Sequence, residues 1–350
     1  MRESGAADLA RAEALIALRR FTEARAILLA AGAAGGAPTS RGWCLMAQCE
    51  LGLDWGTAAL WSTEQALRLD PENEWAFRLR AIALLTFQRY AEAQRAAEDA
   101  IRLAPLSYLG YVSLANVHAN TPGRTLGALA PAVKALELAP AEAETHFIHG
   151  LALARAGRRR AARRAYRDAL ALDPEHSRAR NNLGVLALAA GRTTHATDHF
   201  ASALQSDPRS KVGVKNLTTA YVVLLARLNL ILMLTFFLVL AGVSSDAVTS
   251  ATWPVGRVAG LGVGLVLIAL LLVWSGGVSR EMFRQMWRIR SVRWLLLPPA
   301  SMAVAIVFSA LLPYAFFGLA ILGLLASLII SPYARRRSRA VSAEARWRRK

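Results

Sequence analysis

Five prolines constrain this chain more than any other feature. Pro71, Pro105, Pro140, Pro174 and Pro208 stand 34, 35, 34 and 34 residues apart. Four of them close related tripeptides: Leu69-Asp70-Pro71, Leu103-Ala104-Pro105, Leu138-Ala139-Pro140 and Leu172-Asp173-Pro174. The fifth, Ser206-Asp207-Pro208, keeps the Asp but not the Leu. A fixed period of this length marks a repeat architecture, in which each unit needs its neighbours to bury its apolar face. Proline disfavours a continued helix, so each one marks the connection into the next unit.

The interval between prolines is patterned too. The unit from Ser177 to Asp207 carries Leu183-Gly184, then Gly191, then Ala196, Phe200 and Ala203. The preceding unit repeats this with Gly150, Gly157, Ala162, Tyr166, Ala169 and Pro174. The spacing predicts two antiparallel helices per unit, with Gly157 and Gly191 in the turns. Small residues (Gly150, Gly184, Ala162, Ala196) let the helices approach, and Tyr166 and Phe200 fill the gap toward the neighbouring unit.

These residues resemble the tetratricopeptide repeat family, whose 34-residue pattern runs W-x2-L-G-x2-Y, A-x3-F, P. Trp43 stands at the Trp position of the unit that continues through Ala59 and Ala66 to Pro71. Five units are clear, and a weaker one covers residues 5–38 with Phe21, Ala24 and Leu28 in register. The unit between Leu106 and Pro140 departs from the pattern at Thr121-Pro122-Gly123-Arg124, a longer turn. The repeats are expected over 5–210, followed by a capping helix over 211–223. The fold expected is all-α: a solenoid of helical hairpins, then a bundle of membrane helices.

The resemblance implies a concave surface, lined by first helices, that binds a protein or peptide. The exposed first-helix candidates are Trp75, Arg78, Asn116, Asn120, Phe147, Arg155, Arg178 and Asn181. Their aromatic, amide and guanidinium groups suit interface anchors. The family's clamp for acidic C-terminal peptides needs Lys and Asn at set positions that this chain matches poorly, so no chaperone partner is expected.

Beyond residue 221 the composition changes. The chain is 55% hydrophobic with a mean hydropathy of +0.31, and the apolar excess is concentrated there. A membrane span needs about 20 apolar residues. Spans are expected at about 224–243, 257–275, 294–312 and 314–331, within 224–332. Pro313 divides the last two, and a single kinked or re-entrant element is the alternative, giving three or four spans. Arg227 is expected to snorkel to the interface. Trp253, Trp274, Trp287 and Trp294 lie near span ends, where interfacial anchors sit.

The net charge is +18, and residues 276–350 hold 13 Lys or Arg against Glu281 and Glu344. Arginine clusters beside spans mark the cytoplasmic side and attract anionic lipid head groups. The loop 276–293 and the basic tail 333–350 are therefore expected inside, as is the N-terminus, with 244–256 outside. The localisation expected is the inner cell membrane. The tail has no aromatic stacking platform, so nucleic acid is not the expected partner.

Little else suggests chemistry. Cys44 and Cys49 make no disulfide framework and read as small helix residues in a reducing compartment. The start, Met1-Arg2-Glu3-Ser4, lacks the apolar core of a signal peptide. His195-Ala196-Thr197-Asp198-His199 has the spacing of an inverted zincin with Asp for Glu, but the repeat assigns it to an ordinary second helix. His146 and His149 read as packing or groove residues. Gly260, Gly262 and Gly264 read as a close-packing face within a span. No phosphate loop or nucleophile elbow appears, and the spans lack acidic groups, so no enzyme, metal or cofactor is expected. The leading expectation is a scaffold that captures a protein at the membrane. The alternative is a transport or assembly component whose working part is the membrane bundle. The Ala-, Arg- and Leu-rich composition suggests a high-GC bacterium.

Overall fold

The computed structural model describes residues 2–33, 39–208, 210–224 and 227. Most of the membrane segment expected over 224–332, and the tail 333–350, lie outside the described residues. Among the described residues, no helix is long and apolar enough to cross a membrane.

The elements are helices in pairs. They are α1 (Arg2–Ala17) and α2 (Phe21–Ala33), α3 (Ser40–Gly52) and α4 (Gly56–Leu69), α5 (Glu74–Thr86) and α6 (Tyr90–Leu103). Then come α7 (Tyr108–Asn120) and α8 (Leu129–Leu138), α9 (Ala143–Arg155) and α10 (Arg159–Leu172), α11 (Ser177–Ala189) and α12 (Thr193–Ser206). A further helix, α13, covers 211–224. The chain divides into two compact units, Met1–Asn182 and Leu183–Lys350.

The proline tripeptides end helices where the period requires it. Helices α4, α6, α8 and α10 stop at Leu69, Leu103, Leu138 and Leu172, and the next residue is the C-cap. Where that cap is Asp, its carboxylate stabilises the turn: Asp70 accepts from the Glu72 N–H at 3.3 Å and Asp173 from Glu175 at 2.9 Å. The first helices α5 and α7 then begin on a side-chain cap. Asn73 accepts from Ala76 N–H at 3.0 Å and Ser107 from Leu109 N–H at 3.4 Å, satisfying donors that have no partner within the helix.

The turn inside each hairpin is equally regular. Five of them place one residue in the left-handed region two positions before the second helix: Arg19 (φ 56), Asp54 (φ 62), Gln88 (φ 60), Gly157 (φ 77) and Gly191 (φ 77). The following N–H reaches back five residues, as from Arg89 to Leu84 at 3.1 Å and from Arg158 to Leu153 at 2.9 Å. This is a Schellman ending, in which the left-handed residue turns orphan N–H groups onto the last carbonyls. The α7–α8 connection differs, as expected from 121–124: Gly123 takes φ 75 and a 3₁₀ turn at Thr125–Ala128 precedes α8.

Within unit 1, first helices adjoin first helices: α1 packs on α3, α3 on α5, α5 on α7 and α7 on α9. No second helix makes a comparable contact with the next second helix among the described residues of unit 1. A stack joined closely along one side and splayed along the other must curve, with its first helices on the inside. Alanines fill the joints, with Ala81, Ala93, Ala97, Ala115, Ala132 and Ala162 all 0% exposed.

The large residues pack against the small ones of the same hairpin. A Cβ on Gly150 would stand 2.7 Å from the Tyr166 ring, and one on Gly184 would stand 2.6 Å from Phe200. Each ring therefore fills the missing side chain of its own hairpin. The Tyr166 hydroxyl reaches the next hairpin, accepting from Asn182 Nδ2 at 3.3 Å.

In unit 2, Leu217, Ala220, Tyr221 and Leu224 of α13 are buried, and a Cβ on Gly213 would stand 2.8 Å from the Leu204 side chain of α12. Arg227 corrects an expectation. Its Nη1 donates to the Gly191 carbonyl and the Thr193 hydroxyl, both at 2.8 Å. The guanidinium satisfies the α11–α12 turn of the repeat, so the snorkelling expected of it is not its role in this structure.

Candidate functional site

All eight candidate residues lie on the first helices α5, α7, α9 and α11, within unit 1. The structure brings some of them together and commits others to internal partners.

On α5, Trp75 is half-buried and packs with Trp43 against a core of Cys44, Ala47, Ala66, Ala76 and Leu79. One turn on, Arg78 Nε meets Glu74 Oε1 at 2.6 Å, with both side chains 19% exposed. Neither of these two atoms has another polar partner. Glu before Arg at i,i+4 is the favourable order on a helix. On α7, Asn120 Nδ2 donates to the Asn116 carbonyl at 2.8 Å and to Asn116 Oδ1 at 3.0 Å. Asn120 is exposed and Asn116 half-buried, so this pair leaves an amide face toward solvent.

Phe147 on α9 corrects the sequence reading: it is only 5% exposed. Its ring packs beside Tyr166 at 6.0 Å and His176 at 5.0 Å between centroids. The Arg178 guanidinium covers it, 4.6 Å from the ring centroid, and also pairs with Glu144. His176 completes the cluster. Its Nδ1 accepts from the Ala179 N–H at 3.2 Å, which places the proton on Nε2, and Nε2 donates to Glu144 at 3.3 Å. Glu144 thus holds two cationic or donor groups. Arg155 is exposed at the end of α9, close enough to oppose the burial that raises the Tyr166 hydroxyl pKa. Asn181 is half-buried and bonded.

Sequence reasoning missed Glu74, Glu144, His176 and Asn182. Glu74–Arg78 was visible as a helical charge pair. Glu144 and Arg178 are 34 residues apart, one repeat period, so neighbouring first helices set them side by side. Together these acids neutralise Arg78 and Arg178, whereas Arg155 has no ion pair among the described residues.

The histidines do structural work. His146 Nε2 donates to the Pro140 carbonyl at 2.8 Å, and His149 is pushed below the ordinary imidazole pKa by burial, then by His146. His195 is exposed and His199 is otherwise bonded. Among the described residues, no group of three His, Cys, Asp or Glu side chains could hold a metal ion. Cys44 and Cys49 are both fully buried and free, and burial pushes each thiol up to about 12.

Stacked two-helix hairpins with small residues at the crossings define an all-α interaction solenoid. Residues 149–211 match the tetratricopeptide repeat family, and the described helices form a solenoid of that kind. The chain is similar to a tetratricopeptide repeat protein from Parabacteroides merdae ATCC 43184, at 14% identity and a TM-score of 0.53, over 62% of this chain and 84% of that one. It is similar to the Cut9-Hcn1 hetero-tetramer of APC/C, at 17% identity and a TM-score of 0.50, over 62% of this chain and 42% of that one. A thermophilic TPR protein of Thermus thermophilus aligns at 24% identity and a TM-score of 0.48, over 52% of this chain and 98% of that one. At these identities the first two likenesses establish the fold alone. No curated protein matches the chain.

Proposed function

We propose that this chain is a membrane-held tetratricopeptide scaffold. The first-helix face of unit 1 captures a protein or peptide segment, and the apolar segments within 224–332 hold the capture site at the cytoplasmic face of the inner membrane. The observation that carries the reading is the adjoining of α3, α5, α7 and α9 along the inside of unit 1. That face presents Trp75, the Asn116–Asn120 amides and Arg155. The apolar composition after residue 221 and its flanking arginines support the membrane half.

The chemistry of the face narrows the ligand. Arg78 and Arg178 are neutralised by Glu74 and Glu144, so Arg155 is the one candidate arginine left to meet an acidic tail, too little for a clamp. Amides that both donate and accept, beside a tryptophan edge, suit a segment read through its backbone and one apolar anchor. The test uses the full chain in detergent as bait, beside an Asn116→Ala/Asn120→Ala/Arg155→Ala variant and a second-helix variant, Glu98→Ala/Arg102→Ala. A partner lost from the first variant and kept by the second supports the reading. A partner kept equally by all three contradicts it. Extraction of the chain from membranes by alkaline carbonate contradicts the membrane half.

A further inference from the structure

Among the described residues, the second helices α4, α6 and α8 carry ion pairs between helical neighbours, and α10 does not. On α4, Arg68 pairs with Glu64 at 3.4 Å; on α6, Arg89 pairs with Glu92 at 2.6 Å and Arg102 with Asp99 at 3.3 Å; on α8, Lys134 pairs with Glu137 at 3.2 Å. Helix α10 and its N-cap carry Arg158, Arg159, Arg160, Arg163, Arg164 and Arg167 against the single acid Asp168. None of these arginine side chains has an ion pair or hydrogen bond among the described residues, and all but the half-buried Arg163 are exposed. The opposite face of α10 is Ala162, Ala165, Tyr166 and Ala169, each buried. Neighbouring guanidinium groups repel one another, so a helix face of this kind costs stability unless an anionic surface meets it.

We infer that the α10 arginine face is a docking surface for the anionic phospholipid head groups of the membrane in which the chain is held. The face spans residues 158–167, about 14 Å along a helix axis, enough to meet several head groups at once. It belongs to a second helix, on the splayed outer side of unit 1, so lipid contact leaves the first-helix face free for a partner. Its one aromatic, Tyr166, is 1% exposed, so the surface offers no ring on which a nucleic-acid base could stack. Arginines near an anionic leaflet act additively and are screened by salt. The inference rests on the membrane-held reading above, which supplies an anionic leaflet as the surface to be met.

The test places a fluorophore on Asp168→Cys in the full chain; Cys44 and Cys49 are fully buried, so the label goes to the new thiol. The chain is reconstituted into vesicles of phosphatidylcholine alone, or of equal parts phosphatidylcholine and phosphatidylglycerol, each with a head-group quencher. We expect quenching at least about tenfold stronger with phosphatidylglycerol. High salt should remove it, since at about 1 M the screening length falls to roughly 3 Å. Arg159→Gln/Arg160→Gln/Arg164→Gln/Arg167→Gln should remove it as well. Arg68→Gln/Arg89→Gln/Arg95→Gln/Arg102→Gln should keep it. Circular dichroism confirms that both variants are folded. Equal quenching in both vesicles, or quenching indifferent to the α10 variant, overturns the inference. So does an RNA affinity that the α10 variant abolishes while lipid has no effect. If carbonate releases the chain, the membrane-held reading fails separately. Co-sedimentation of the released chain with the anionic vesicles then decides for α10 if the α10 variant abolishes it, and against α10 if it does not.

Discussion

Arg178 lies over the ring of Phe147, with its guanidinium carbon 4.6 Å from the ring centroid, and pairs with Glu144 one repeat earlier. One side chain thus closes an aromatic surface and ties two first helices together. Arg178 is 59% exposed, so solvent weakens the ion pair. Cation–π contact at such a site is worth about 0.5–1 kcal/mol. Arg178→Ala should lower unfolding stability by about 1 kcal/mol. A double-mutant cycle with Phe147→Leu should recover a coupling of about 0.5 kcal/mol or more. Strict additivity in denaturant unfolding would contradict the contact.

Gly150 is held by contact rather than by backbone angle. Its missing Cβ leaves the space that Tyr166, 1% exposed, occupies. The obstructing atoms are the ring body, which has nowhere to swing. Gly150→Ala should therefore destabilise by about 1–3 kcal/mol despite the better helix propensity of alanine. Gly150→Ala/Tyr166→Leu should recover part of that loss. A lone Gly150→Ala that raises the unfolding midpoint would refute the packing.

The hairpin turns make an opposite prediction. Gln88 holds φ 60 with an exposed side chain, at a position where Gly157 and Gly191 hold φ 77. A left-handed residue with a Cβ costs about 1–2 kcal/mol, and glycine removes that cost while losing some unfolded-state entropy. Gln88→Gly should be neutral or stabilising by up to about 1 kcal/mol, whereas Gly157→Ala should cost about 1 kcal/mol. Thermal unfolding of both variants checks the contrast. A midpoint lowered by Gln88→Gly would contradict the turn assignment.

Burial of Cys44 and Cys49 sets an alkaline limit. Each thiol is pushed from an ordinary 9.0 up to about 12, chiefly by desolvation. An acid with a raised folded pKa keeps its full contribution below the unfolded value and loses it as pH climbs toward the folded one. Stability should therefore fall between pH 9.0 and about 12, by up to about 1.4 kcal/mol per pH unit for each thiol. Cys44→Ala/Cys49→Ala should flatten the slope. Some slope should remain, because burial also raises Tyr166 and Tyr221 above their ordinary 10.0. An unchanged slope in the double variant would show that the thiols ionise freely in the folded chain.

The helical frame was legible because its determinants are local and periodic. The Leu-Asp-Pro endings predicted where α4 and α10 stop, and Gly157 and Gly191 predicted their turns. Arg19, Asp54 and Gln88 occupy the same left-handed position without announcing it, since the turn holds a side chain unbranched at Cβ there at a cost of about 1–2 kcal/mol. The site was legible only in part. Helix position identified Asn120 and Arg155 as exposed, but the burial of Phe147 depends on Arg178 and His176 from the next hairpin. Repeat spacing alone does not show which side chain will fold over another. The arginine face of α10 is masked in the sequence by a net charge whose larger share lies in residues 276–350.

The most direct test of the capture face is site-specific photocrosslinking in cells that express the full chain. A photoreactive residue replaces Asn120 or Arg155 on the first helices, or Glu98 or Lys134 on the second helices. A discrete adduct of one partner is expected from the first-helix positions and none of that adduct from the second-helix positions. The same adduct from all four positions, or only from Glu98 and Lys134, would contradict the capture face.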